Sequence, residues 1–289
     1  MGRNFSRLVN AAPLHINQKV NGPYQAARSQ AFRAADWQLK GSTATTLFVL
    51  PAFGAVLLAG LLALHRPLFS LLVQEDSVIE WSTAAALAIT AALSGVVALQ
   101  LRHRELRTQA SAYALGALLF VLAVGEEISW GQRLFGFQGP DAVRNANLQA
   151  ELTVHNLSAV HTLYLIGQLA VGLYGSLGPW LMYRHRSAAI RLNTRLFVPP
   201  LFLSSGFLLH ALYRIGREGP LPAINFGEWF EFCVAAGIAV FVALNARWLG
   251  SEAARVTIED ARSACAGRRS APAQQPVRDA RERPPARQV

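Results

Sequence analysis

Long apolar runs broken by short polar clusters dominate the chain between residues 43 and 250. Six windows of mostly apolar residues recur, at 43–64, 79–101, 109–129, 157–182, 196–214 and 229–249. Roughly 20 such residues, rising 1.5 Å each, cross a bilayer core about 30 Å thick. The windows are too long and too uniformly apolar for barrel strands, and helices are the other structure that satisfies every backbone group in lipid. The predicted fold is therefore all-α: a polytopic transmembrane helical bundle of about six spans, covering residues 43–250.

Composition agrees, with 52% hydrophobic and 15% charged residues. The charge is concentrated in the flanks. A basic tail, 1–42, has no acid before Asp36 and no apolar core of a secretory signal. A second basic tail, 251–289, is rich in Arg, Ala and Pro and poor in core formers, which predicts disorder. Placing both termini in the cytoplasm puts 22 of the 27 Lys and Arg residues on that side, as the retention of positive charge requires. The net charge of +10 then reads as attraction to anionic inner-leaflet lipids, at about 1 kcal/mol per basic residue near the surface. No nucleic-acid motif accompanies it, so no nucleic-acid partner is expected. Cys233 and Cys265 fall at different levels and give no disulfide framework.

With that topology, ten of the seventeen acids fall on the external half. Interface decoration accounts for Glu75, Asp76, Asp141 and Glu218, since an acid at a span end costs far less than one at the centre. It accounts less well for three groups. Glu126 and Glu127 end the third span, just before Trp130, a typical interfacial anchor. Glu228 and Glu231 in "GEWFEF" share one helix face, where two like charges repel unless a cation or proton intervenes. Glu151 and His155 in "AELTVHNLSAVH" also share a face if that stretch is helical.

Carboxylates and imidazole from several helices at one level suit a metal site in a bundle core or a relay that passes protons. The catalytic candidates are Glu126, Glu127, Glu151, His155, Glu228 and Glu231. Glu127, His155, Glu228 and Glu231 are the candidate ligands of a divalent metal ion. His161, six positions after His155, would face elsewhere on a helix, and His210 reads as a hydrogen-bonded interfacial histidine. Gly167, Gly172, Gly175 and Gly178 mark the fourth span as a close-packing helix. Residues 130–156 are long for a connection between packed helices. They predict an interfacial external cover over the acids, its Asn145, Asn147, Gln149 and Glu151 placed to line the site.

"GEEISWGQRLFGF", "NANLQAELTVHNL" and "NFGEWFEF" together resemble a family of uncharacterised bacterial multi-pass membrane proteins with an E-E-x-x-W-x-Q motif. The resemblance spans about residues 75–245 and implies a bacterial inner-membrane location. It groups Glu126, Glu127, Trp130, Gln132, Asn147 and Gln149 with Glu151, His155, Asn156, Glu228 and Glu231, without assigning an activity. A remote analogy is with the alkaline ceramidase and adiponectin receptor-like membrane hydrolases, which bind zinc between helices; this chain has six spans and no late H-x-x-x-H. Three functions stay open: an enzyme, metal-dependent or not, acting on a lipid or lipid-linked substrate; a proton- or cation-coupled transporter; and a non-catalytic membrane scaffold.

Overall fold

A computed structural model describes residues 34–74, 76–182, 188–217 and 226–270; most of the first basic tail and the end of the second, from 271 on, lie outside them. The helices are α1 (Gly41–Leu64), α2 (Arg66–Val73), α3 (Val78–His103), α4 (Arg107–Glu127), α5 (Gln132–Phe135) and α6 (Asp141–Ala146). Then follow α7 (Ser158–Met182), α8 (Ala188–Phe197), α9 (Ser204–Arg217), α10 (Gly227–Leu249) and α11 (Glu252–Ser270). Among the described residues the only β pairing is an isolated bridge between Asn147 and Leu157. Six helical stretches are long and apolar enough to cross a membrane, so the chain is an all-α polytopic bundle.

The outward faces show which solvent the bundle needs. On α1, Val49, Leu50, Phe53, Val56 and Leu57 are exposed, as are Leu115, Leu118, Leu119, Val121 and Leu122 on α4. Apolar belts of that extent fit hydrocarbon and would associate in water. Local signals set the helix starts: Ser77 Oγ accepts from the Glu80 N–H at 3.3 Å to cap α3, and His65 Nδ1 accepts from the Leu68 N–H at 3.1 Å to cap α2.

Five of the six windows coincide with single helices to within a few residues; the fifth does not. A single span there would carry Pro199 and Pro200 in its early turns. They instead separate α8 from α9, because proline disfavours helical backbone at the residue before it and supplies no N–H. The disorder expected from residue 251 is also corrected over Glu252–Ser270. There Ala254, Ile258 and Ala261, spaced four and three apart, form a buried stripe, and α11 packs on α8.

The helices pack in an arc. α4 lies on α3, α3 on α10, α10 on α9 and α9 on α7, while α1 closes the back against α9 and α10. The tightest joint is between α7 and α9, where a Cβ on Gly175 would stand 2.2 Å from the Phe207 ring. Gly172 meets Ala211 similarly, whereas Gly167 has nothing within 4 Å. Among the described residues no comparable packing joins α4 to α7, so these two helices are the rims of a cleft floored by α3 and α10.

The end bearing Arg102, Arg104 and Arg247 is sealed. The Arg195 guanidinium sits 4.1 Å from the Trp37 ring centroid and 4.3 Å from that of Trp248. Asn245 Nδ2 donates to the Tyr113 hydroxyl at 3.0 Å, and that hydroxyl donates to the Leu196 carbonyl. The opposite end, bearing Glu127, is where the cleft opens into cavities.

Candidate active site

The site begins where α4 stops. Ser129, Trp130 and Gly131 have φ of 48°, 53° and 80°, three left-handed residues in a row. Two of them carry side chains that disfavour this backbone by about 1 kcal/mol or more each. The reversal folds the Trp130 ring back onto Gly125, where a Cβ would stand 2.9 Å from it. From there the indole N–H donates to Glu126 Oε1 at 2.8 Å.

The other oxygen of Glu126 holds the cover. Glu126 Oε2 accepts from the Val154 N–H at 2.7 Å and the His155 N–H at 3.1 Å, and lies 3.0 Å from His155 Nδ1. Two further clasps repeat the device: Ser129 Oγ donates to Glu151 Oε2 at 2.7 Å, and the Leu152 N–H donates to Gln132 Oε1 at 2.8 Å. Asn147 braces the cover from within. Its Nδ2 donates to the Thr153 carbonyl at 2.7 Å, and its Oδ1 accepts from the Gln149 and Glu151 N–H groups at 2.9 and 3.3 Å. Segment 130–156 is thus an ordered cap laid on the end of α4.

Under the cap lies a polar chamber of about 260 Å³. All six catalytic candidates line it: Glu126 and Glu127 from α4, Glu151 and His155 from the cap, Glu228 and Glu231 from α10. Of the expected cap residues Gln149 also lines it, while Asn147 is a buried brace and Asn145 is not in the wall. The repulsion expected between Glu228 and Glu231 meets a cation from α9: Arg214 forms a buried ion pair with Glu231, their side chains 6% and 19% exposed. Glu127 accepts no hydrogen bond from any described residue.

Four titratable lining residues were not among the candidates read from the sequence: Glu80, His161, Tyr164 and Arg214. The assumption that put His155 and His161 on different helix faces fails, since α7 starts only at Ser158 and His155 lies on irregular backbone before it. His161 Nδ1 lies 3.3 Å from the His155 carbonyl, and the His155 ring lies 4.7 Å from that of Tyr164. Tyr164 carried no signal of its own on an apolar helix. Arg214 could have been found as the arginine that closes the fifth window.

A second, mostly apolar chamber of about 400 Å³ continues from the first, deeper between α4 and α7. Glu126, Glu127, His155, Tyr164 and Glu231 belong to both walls. Below them the lining is apolar apart from Thr83, Gln168 and His210. His210 is not the hydrogen-bonded histidine expected. It is 2% exposed, and its Nδ1 has no partner among the described residues.

The expected metal ligands, Glu127, His155, Glu228 and Glu231, all face the polar chamber. Glu231 is engaged by Arg214 and His155 Nδ1 by Glu126. Among the described residues no three His, Cys, Asp or Glu side chains converge as ligands of one ion. The arrangement is better fitted to proton transfer. A carboxylate on Nδ1 fixes the imidazole tautomer and orientation, leaving Nε2 as the basic nitrogen. No protein-family model, curated protein or solved structure matches this chain.

Proposed function

We propose that this integral membrane protein is an enzyme acting on a lipid or lipid-linked substrate, with its cap on the outer face of a bacterial inner membrane. The observation that carries this reading is that Glu127 and His155 lie in the walls of both chambers. A lipid with its headgroup under the cap and its chain in the apolar chamber brings the bond between them to these two side chains. His155 Nε2 takes a proton from water as the hydroxide adds to the carbonyl of an ester or amide linkage. The bond from carbonyl carbon to the leaving oxygen or nitrogen then breaks, and Glu127 delivers a proton to the leaving atom. Glu126 acts through His155 and the cap, as a positioning residue. Transport is supported less well, because the fully buried Leu101 and Leu249 and the Arg195 stack on Trp37 and Trp248 close the far end of the bundle.

The test is turnover in nanodiscs made from a bacterial lipid extract, read by mass spectrometry. The expected result is loss of one lipid class with wild-type protein and no loss with His155→Ala or Glu127→Gln. A wild-type protein that converts no lipid overturns the enzymatic reading.

A further inference from the structure

A third cavity of about 240 Å³ extends the path. It shares Val171 and Ile238 with the apolar chamber and is bounded below by Tyr113, Phe120 and Tyr174. Tyr113 lies about four turns, roughly 20 Å, along α4 from Glu127. The tract therefore follows the cleft from the capped chamber to the sealed end. Its long side is the seam between α4 and α7, flanked by the exposed Leu119 and Leu122 on one rim and Leu163 and Ile166 on the other. A chain of hydrocarbon lying in the bilayer reaches this tract sideways without crossing water.

Two unpartnered polar atoms stand in the deeper wall of the apolar chamber, which is greasy apart from them and Thr83. His210 Nδ1 and Gln168 Oε1 are buried without partners among the described residues. Each sits one turn, about 6 Å, inward of a polar-chamber residue on its own helix, Arg214 and Tyr164 respectively. A buried polar atom left unpaired costs about 1 to 3 kcal/mol, so a purely aliphatic occupant would leave both costs standing. An occupant with a hydroxyl or an amide N–H near the root of its chain satisfies them, since Gln168 Oε1 needs a donor. The headgroup level has its own chemistry. Glu80, Glu126, Glu127, Glu151, Glu228 and Glu231 face it, and Arg214 is the one permanently cationic side chain among the described lining residues. Such a wall disfavours an anionic headgroup.

We infer that the chambers bind one amphiphile that enters laterally between α4 and α7: a long hydrocarbon chain, a hydrogen-bonding linkage at its root, and an uncharged or cationic headgroup beneath the cap. It rests on the enzymatic reading for calling this amphiphile the substrate, and its binding is measured without turnover.

The experiment uses full-length protein in nanodiscs with two diazirine-bearing probes, hexadecylamine and hexadecanoic acid, and maps photolabelled peptides. The amine is expected to label the cavity-lining residues Phe120, Ala123 and Ile238 about tenfold more than the acid, equivalent to 1.4 kcal/mol. Gly167→Trp, at a position where a side chain has open space, should fill the apolar chamber and cut that labelling by a similar factor. Ala123→Leu, from the opposite rim, should do the same more weakly and serves where the tryptophan variant does not fold. Equal labelling by both probes, or labelling indifferent to both substitutions, overturns the inference. Sensitive labelling without lipid turnover leaves the binding tract standing and removes the enzyme. Turnover with indifferent labelling does the reverse.

Discussion

Glu126 accepts four hydrogen bonds at once, which makes the cap's attachment measurable. Its carboxylate is 20% exposed and receives Trp130 Nε1, the backbone N–H groups of Val154 and His155, and His155 Nδ1, at 2.7 to 3.1 Å. Hydrogen bonds to a charged group are worth about 1.5 to 3 kcal/mol each when buried. Two of these four are solvent-exposed and contribute less, so Glu126→Ala should cost the cap about 2 to 4 kcal/mol in total. That figure converts to a rise of roughly 30- to 700-fold in the opening equilibrium of the segment. Hydrogen–deuterium exchange in nanodiscs reads it directly, because exchange of protected amides reports local opening. Residues 151–156 should exchange faster by that factor, while the middle of α10 should not change. Glu126→Gln should show a smaller effect, about 1 kcal/mol, since one amide oxygen still accepts on the His155 side. Unchanged exchange at 151–156 in the alanine variant would refute the clasp.

Three further outcomes follow from the same geometry. Arg214→Met strands Glu231 in a largely buried position and should destabilise the bundle by about 3 kcal/mol, most of it recovered by adding Glu231→Gln; a detergent-unfolding double-mutant cycle checks both. Gly175→Ala drives a methyl into Phe207 and should cost about 1 to 3 kcal/mol in the same assay, whereas Gly60→Ala, with nothing within 4 Å, should be neutral or slightly stabilising. Elemental analysis of purified protein should find no stoichiometric divalent ion. An ion present at one per chain and lost in Glu127→Gln would replace His155-driven proton transfer with metal-activated water.

The spans were legible because a bilayer core tolerates few charges over about 20 residues, a constraint written directly into composition. The fifth window misled because hydropathy does not register the break at Pro199–Pro200, and α11 was hidden because its Arg and Ala content masked the small stripe of Ala254, Ile258 and Ala261. The carboxylates were readable for a physical reason: Glu127 at the end of an apolar run is conspicuous in one dimension. What one dimension does not hold is which side chain answers which. Glu126 and Glu127 both line the chambers but differ in partners, one tied to the cap by four hydrogen bonds and one accepting none from a described residue. Their difference rests on the left-handed run at Ser129–Gly131, which local sequence does not announce. The Arg214 and Tyr164 contributions arise from how neighbouring stretches of chain turn back on one another, and only the fold brings them to Glu231 and His155.

The central claim is that the chamber performs chemistry and does not merely join helices. It is tested most directly by measuring lipid turnover and melting temperature on one preparation of Glu127→Gln. Because Glu127 receives no hydrogen bond from a described residue, the account predicts turnover lost with a melting temperature at or above that of the wild type. A lowered melting temperature with turnover intact would contradict it and leave the chamber as interhelical glue.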